Sequence, residues 1–272
     1  MNMLETVKKE WQAQVAVGLF VLLTIWYFVS PSFKVDDTRF FGDFSSIYGV
    51  MALWGGIWGI SVSKKWGFTQ SVIGKAMLAF SIGLFAQEFG QIVYAYFSFF
   101  KQIEIPYPSI GDLGYFGSIP FYIYGVYLLA QASGVHINLK SLSSKLQAIV
   151  IPLIMLAIPY FLFLQGYEFD WTDPIRVFLD FGYPLGQAVY ISIAILTYSL
   201  TRGILGGIMK PKILFFLLAL VAQFIADYVF LIQAYYKSWS VGGWNDYMYL
   251  IAYFLMAIAL IQLKTISDGT HK

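Results

Sequence analysis

The chain has 272 residues, of which 59% are hydrophobic and only 12% are charged, about half the charged share of a soluble globular domain. The formal net charge of +2 is too small to indicate a nucleic-acid partner. The chain has no cysteine, which excludes disulfides, thiol nucleophiles and thiolate metal sites. Its only histidines are His136 and His271, so a histidine-based metal centre is not expected.

Eight stretches of the chain are apolar and long enough to cross a bilayer as helices, which takes about 20 residues each. In chain order they comprise residues 11–29, 44–63, 76–100, 113–131, 146–167, 181–201, 213–236 and 247–263. The connections between them are short, so we expect one transmembrane domain over residues 1–272. The expected fold class is an all-α integral membrane protein, a bundle of about eight transmembrane helices that has the lipid bilayer as its surroundings.

The basic residues predict the orientation of the chain. Twelve of the 17 Lys and Arg residues fall in segments on the same side as the N-terminus, and five fall on the opposite side. Cytoplasmic loops of membrane proteins carry the excess of basic residues. We therefore expect a multi-pass protein of the plasma membrane with both termini in the cytoplasm.

An aspartate stands at the outer start of each even-numbered span. These aspartates are Asp43, Asp112, Asp180 and Asp246. Their spacings of 69, 68 and 66 residues favour four quasi-repeated hairpins. The last three continue as Asp-x-x-Tyr, with Tyr115, Tyr183 and Tyr249, whereas the first has Ser46 at the tyrosine position.

Two interpretations of this pattern are open. An aspartate at a helix N-terminus caps free N–H groups, and a tyrosine one turn further along anchors the helix at the membrane interface. Alternatively, the aspartates converge on an outward-facing vestibule, where their negative charge would attract cations.

The third and seventh spans each contain an acidic residue near the middle, Glu88 and Asp227. A carboxylate at this depth costs a few kcal/mol and usually faces the interior of the bundle. Gln91 lies one helical turn from Glu88, and Gln223 lies one turn before Asp227, so amides share these faces. Lys and Arg are absent from the middle of the spans, so neither acid has a basic partner nearby in the sequence.

Three roles for Glu88 and Asp227 are open: interhelical hydrogen bonds to Gln or Tyr, a ligand or ion pocket between the third and seventh helices, and a proton relay. No catalytic residue and no metal ligand is predicted, and the sequence indicates no cofactor. The candidate ligand-binding residues are Glu88, Gln91, Gln223 and Asp227, with Asp112, Tyr115, Asp180, Tyr183, Gln187, Asp246 and Tyr249 towards the mouth of the pocket.

Three short motifs carry a resemblance to a known family. Residues 108–115 read Pro-Ser-Ile-Gly-Asp-Leu-Gly-Tyr, residues 183–187 read Tyr-Pro-Leu-Gly-Gln, and residues 226–230 read Ala-Asp-Tyr-Val-Phe. In this respect the chain resembles the multi-helix membrane sensory regions found N-terminal to bacterial diguanylate cyclases and histidine kinases. The resemblance implies a sensing role. Gln187 stands where the family commonly has an acid, and no cyclase or kinase sequence follows the last span, so signalling would require a separate partner protein.

The function expected first is therefore a non-enzymatic membrane sensor or ligand-binding component, in which a ligand shifts the balance between two helix packings. Its partner would be a signalling protein or a second copy of the chain. A small-molecule or proton-coupled transporter is an alternative, although the repeat is parallel and not of the inverted kind. An intramembrane enzyme acting on lipid or peptide is a third possibility, and a scaffold without a ligand is a fourth.

Overall fold

The fold is all-α. The computed structural model describes residues 3–29, 44–103, 105–135, 141–201 and 209–270, with only the backbone for residues 265–270, and these ranges contain no strand. The helices are α1 (Met3–Lys9), α2 (Trp11–Val29), α3 (Phe44–Lys65), α4 (Val72–Ala95), α5 (Gly111–Ala132), α6 (Leu142–Pro159), α7 (Pro174–Thr201), α8 (Met209–Tyr235) and α9 (Trp244–Thr270). Helices α2 to α9 are long and apolar enough to cross a membrane, which confirms the predicted fold class of a multi-span helical bundle.

The start of α7 differs from the sequence prediction. We expected this helix to begin near Asp180, but it begins at Pro174, because Pro at the first helical position is pre-organised for the helix. The carboxylate of Asp173 accepts a hydrogen bond from the backbone N–H of Arg176 (3.1 Å), as an N-cap does. Asp180 therefore lies inside the helix, and its carboxylate is available for other contacts.

Six of the spans form a closed ring. Going round it, α3 packs on α4, α4 on α5, α5 on α7, α7 on α8, α8 on α9, and α9 returns to α3. Helices α2 and α6 lie outside the ring, α2 against α9 and α3, and α6 against α7. Helix α9 is the most buried of the eight spans and α6 the least.

The ring consists of two halves with the same helix order. In α2–α5 and again in α6–α9, one helix lies outside the ring and the next three are consecutive members of it. The hairpin α2–α3 therefore corresponds to α6–α7 in this order, and α4–α5 corresponds to α8–α9. The repeat in the structure is thus a pair of four-helix units, whereas the sequence suggested four equal hairpins. Asp43, the aspartate expected at the outer start of the second span, lies outside the described residues.

Glycines bring the ring helices close together. Side chains added at Gly55 and Gly56 of α3 would lie 2.9 Å from Leu84 Cδ1 and 3.0 Å from Phe85 Cε1. On α4, the ring of Tyr115 covers Gly90, where an added Cβ would lie 2.8 Å from its atoms. Small residues at these positions permit close approach of the backbones, as is typical of helix packing in membranes.

The two ends of the bundle differ in charge. We call the end where α5, α7 and α9 begin the Asp end, and the opposite end the Lys end, because Lys75, Lys145 and Lys212 lie there near the starts of α4, α6 and α8. At the Lys end, Lys264 of α9 forms an ion pair with Glu10, which holds the N-terminal segment against α9. The buried Lys212 donates to the carbonyl oxygen of Gln262.

Candidate functional site

A chain of hydrogen bonds begins at the Asp end of the ring, between α3 and α9. The hydroxyl of Ser45 donates to Asp246 Oδ2, and the backbone N–H of Gly242 donates to the same carboxylate oxygen (2.8 Å). Gln91 of α4 donates its amide to the carbonyl oxygen of Ser45, and its own Oε1 accepts from the hydroxyl of Tyr115 (3.0 Å). These contacts link α3, α4 and α5 with the start of α9.

The chain of contacts continues deeper into the ring. Gln87 of α4 donates to Ser118 Oγ of α5 (2.8 Å) and accepts from the hydroxyl of Tyr253 of α9 (3.0 Å). Ser118 in turn donates to the carbonyl oxygen of Tyr115 (2.7 Å). Tyr253 is 1% exposed, so this part of the network is excluded from lipid and from the bulk solvent outside the ring.

Glu88 differs from these neighbours because its Oε2 atom is buried and has no hydrogen-bond partner among the described residues. The side chain packs over the bare backbone of Gly49, where an added Cβ would overlap the carboxylate and lie 2.7 Å from Gln91 Cγ. Tyr115 and Tyr253 lie close enough to interact electrostatically with the carboxylate. A buried acceptor without a donor costs free energy, so a donor that reached this oxygen would stabilise the protein.

Asp227 lies on the opposite part of the ring and is fully partnered. Gln223 donates to its Oδ1 (3.0 Å), Tyr190 of α7 donates to its Oδ2 (3.0 Å), and Tyr249 of α9 also hydrogen-bonds it. Asp227 is eight residues from the end of α8, about 12 Å along the helix. Helices α4 and α8 face each other across the ring and make contact there, with the rings of Phe80 and Phe216 4.5 Å apart. A pocket between these two helices stays a prediction.

Asp112 and Asp180 form a separate cluster at the Asp end. Tyr183 donates to Asp112 Oδ1 (2.7 Å), and the hydroxyls of Tyr107 and Tyr167 each donate to one oxygen of Asp180 (2.7 Å for both). Tyr115, Tyr183 and Tyr249 each bond an acid or amide on a neighbouring helix, so their hydroxyls have partners within the bundle. Their role as interface anchors stays a prediction. Asp112 accepts from the backbone N–H of Ser109 (2.7 Å), and Asp246 accepts from that of Gly242 (2.8 Å). Both donors lie in the connection before the helix, so these aspartates hold the connection against the helix start.

The phenol groups that bond Asp180 are weaker acids than a free tyrosine. Burial raises the pKa of Tyr107, and its hydrogen bond to Asp180 raises that pKa further. Burial and the same carboxylate raise the pKa of Tyr167 to about 12, because a phenolate beside a carboxylate would place two negative charges together. Both tyrosines therefore remain hydrogen-bond donors well above neutral pH.

An open cleft of about 390 Å³ lies beside Asp180, between the connection that precedes α7 and the end of α8. We call it the acidic cleft. Its charged lining residues are Glu168, Asp170, Asp173, Arg176 and Asp180. The predicted vestibule of converging aspartates is only partly correct, because Asp112 is bonded to Tyr183 and Asp246 is buried in the ring.

The structure brings together most of the candidate residues predicted from the sequence, but in three groups. Gln91, Tyr115 and Asp246 belong to the first network, Gln223, Asp227 and Tyr249 to the second, and Asp112, Asp180 and Tyr183 to the third. Gln187 is buried, and its Oε1 has no hydrogen-bond partner among the described residues. His136 and His271, considered for metal binding, lie outside the described residues.

The sequence prediction missed several residues of the site. Tyr190 and Ser45 each hydrogen-bond a predicted residue, and Tyr253 hydrogen-bonds Gln87, which was itself not among the candidates. Helical spacing could have indicated two of them, since Tyr253 lies four residues after Tyr249 and Tyr190 lies three residues after Gln187, on the same helix faces. Ser45 could not have been found this way, because its partner Asp246 is 201 residues away.

The polar network of the ring offers hydrogen-bond acceptors of negative or neutral character, and Glu88 Oε2, which lies against Gly49 where α3 packs on α4, is unsatisfied. Within the described part of the chain, no group of three His, Cys, Asp or Glu side chains is arranged to hold a metal ion. An unsatisfied acceptor of this kind suits a ligand that donates hydrogen bonds. Comparison of the chain with protein-family models, with curated proteins and with solved structures found no match.

Proposed function

We propose that the protein is a membrane-embedded sensor or ligand-binding component whose ligand occupies the ring interior near Glu88. The observation that carries this proposal is the buried, unpartnered Glu88 Oε2 beside Gln91 and Tyr115. The neighbouring polar atoms of Gln91, Gln87 and Tyr115 are hydrogen-bonded. A small cation, which a carboxylate oxygen coordinates, or a protonated amine, which donates hydrogen bonds to it, suits this acceptor.

The proposal includes a transfer of the signal to a separate protein. The resemblance of residues 108–115 and 226–230 to bacterial sensory regions supports it. Rearrangement within a closed ring gives the protein two helix packings, and a ligand with different affinity for the two would shift their populations. The partner would read this change from the surface of the bundle.

We further propose that the Lys end faces the cytoplasm and that the membrane is the plasma membrane. The excess of Lys and Arg in the segments of the Lys end supports this orientation. In it, the acidic cleft and the beginning of the hydrogen-bond chain at Asp246 would face the outside, from which a cationic ligand would arrive.

A thermal-unfolding measurement on the detergent-purified full chain tests the proposed site. The probes are Na⁺, K⁺, ammonium, guanidinium and a series of alkylammonium ions, measured with wild type, Glu88→Gln and Asp227→Asn. A ligand at about 100 times its Kd stabilises the native state by about 2.7 kcal/mol. We expect at least one probe to raise the midpoint of the wild type and to have no effect on Glu88→Gln.

Glu168→Gln, in the acidic cleft, is the matched control because it removes the same charge outside the ring. If Glu168→Gln abolishes the shift and Glu88→Gln retains it, the ligand binds in the cleft and the interior site is wrong. If none of the probes shifts the wild type, Glu88 has a structural role.

Transport is the second candidate, because the hydrogen-bonded residues extend from the Asp end to Gln87 and Tyr253 in the ring. Uptake of the stabilising probe by proteoliposomes would distinguish a carrier from a sensor. A two-carboxylate hydrolase is not proposed, since Glu88 lies against Gly49 of α3, whereas Asp227 is bonded by Tyr190 of α7 and Gln223 of α8, and no contact joins the two acids among the described residues.

A further inference from the structure

A groove on the outer surface of α4 and α5 is separate from the ring interior. It encloses about 230 Å³ and is lined by Thr69, Lys75, Leu78, Ile82, Phe121 and Tyr124, together with Ala79. Phe121 and Tyr124 are 37% and 48% exposed, so the groove opens on the face that meets the membrane. Its wall is apolar apart from Thr69, Lys75 and the hydroxyl of Tyr124.

The polar residues of the groove lie at one end of it. Lys75 is in the first turn of α4, four residues after the N-cap Ser71, and Thr69 is in the short turn that connects α3 with α4. Ile82 lies seven residues further along α4, about 10 Å deeper in the membrane. The groove therefore has a cationic end at the membrane surface and an apolar end within the hydrocarbon.

The charge of the groove is positive. Lys75 is its charged lining residue, and no acidic residue lines the part of the groove that the structure describes. Basic positions between transmembrane helices at the membrane surface are the usual recognition sites for anionic lipid head groups.

We propose that this groove binds one anionic phospholipid, with its phosphate at Lys75 and Thr69 and one acyl chain between Ile82 and Phe121. The lining fits this amphipathic ligand in both respects: the cation is at the depth of the head groups, and the apolar wall follows the direction of an acyl chain. A zwitterionic lipid fills the same apolar wall, but its own cationic group is repelled by Lys75. The lipid stabilises the contact of α4 with α5, on which the position of Tyr115 beside Gln91 depends.

Native mass spectrometry and thermal unfolding of the full chain test this inference. Phosphatidylglycerol and phosphatidylcholine with identical acyl chains are titrated against wild type, Lys75→Gln and Lys75→Arg. We expect wild type to bind the anionic lipid more tightly, Lys75→Gln to lose about fivefold in affinity, and Lys75→Arg to retain it. Leu78→Trp, which fills the groove and leaves the charge in place, should also weaken binding.

Lys145→Gln is the matched control. Lys145 occupies the same position in α6, four residues after the N-cap Ser141, and is exposed outside the groove. If Lys145→Gln loses as much affinity as Lys75→Gln, the lipid preference reflects the general charge of the Lys end, and the proposed site is wrong. Equal affinity of Lys75→Gln and wild type, or stabilisation by inorganic phosphate alone, would also overturn it.

Discussion

Tyrosine hydroxyls satisfy several carboxylates of this protein by hydrogen bonding, and Asp180 additionally lies 3.9 Å from the Arg176 guanidinium. Asp112 accepts from Tyr183, Asp180 accepts from Tyr107 and Tyr167, and Asp227 accepts from Tyr190. A neutral donor satisfies a carboxylate without the desolvation of a second charge, which can exceed the Coulombic gain of a buried ion pair. The high tyrosine content, 20 residues, thus has a structural use inside the bundle as well as at its surface.

The contact between Tyr167 and Asp180 predicts a pH dependence of stability. The pKa of Tyr167 is about 12 in the folded chain and about 10 in an unfolded one. Because the folded value is the higher, the contribution of this phenol to stability is complete below about pH 10 and is lost as the pH rises towards 12. Tyr167→Phe removes the hydrogen bond, so the difference between its midpoint and that of the wild type should decrease over this interval.

Circular dichroism at a series of pH values measures this difference. Tyr160→Phe is the control, since Tyr160 is an exposed tyrosine at the same end of the bundle. A difference between wild type and Tyr167→Phe that stays constant from pH about 10 to about 12 would contradict the assignment of Asp180 as its partner.

At the scale of the helices, the closest packing is between α4 and α5, where glycine and tyrosine face each other. Gly90 and Gly83 of α4 lie under the rings of Tyr115 and Tyr122. In return, Gly114 of α5 approaches the backbone of Gly90, with an added Cβ 2.6 Å from its nitrogen. The glycines thus set the distance between the helices, and that distance aligns Tyr115 with Gln91.

Gly90→Ala should therefore destabilise the protein. The added methyl group meets the ring of Tyr115 from 2.8 Å, and overpacking of this kind costs about 1–3 kcal/mol. The control is Gly117→Ala on α5, where nothing lies within 4 Å of the added carbon, so only the helix propensity of Ala acts, favourably by about 1 kcal/mol. Thermal unfolding in detergent compares each variant with the wild type. A midpoint of Gly90→Ala equal to or higher than that of the wild type would refute the proposed packing.

For the whole molecule, the ring of two equivalent halves explains why separate sequence motifs meet. Gln91 and Asp227 are 136 residues apart, and Tyr115 and Tyr249 are 134 apart. Tyr115 bonds Gln91 in one half and Tyr249 bonds Asp227 in the other, so equivalent positions make equivalent contacts. A parallel duplication of a four-helix unit accounts for this correspondence.

The proposed orientation can be tested with single cysteines, because the native chain has none to give background. Thr69 at the Lys end and Ser238 at the Asp end are both exposed. In intact cells, a membrane-impermeant maleimide should label Ser238→Cys, and it should label Thr69→Cys only after permeabilisation. The reverse pattern would show that the Lys end faces outward, against the bias of the basic residues.

The sequence by itself determined the fold class and the location of all eight spans, because apolar length and charge distribution are local properties of a chain in a bilayer. It also indicated most of the site residues, since polar groups in the spans are costly and therefore conspicuous. The start of α7 was placed too late, because a polar segment containing Asp173 and Pro174 precedes the apolar run.

Only the tertiary structure decided which of these residues meet. Ser45 and Asp246, or Gln87 and Tyr253, are more than 160 residues apart in the chain, and no local pattern specifies a pairing at that distance. The closed ring decides it, because its helix order places α9 beside α3 and α4 across from α8. The same order leaves Glu88 Oε2 without a donor and the outer surface of α4 and α5 as an open groove.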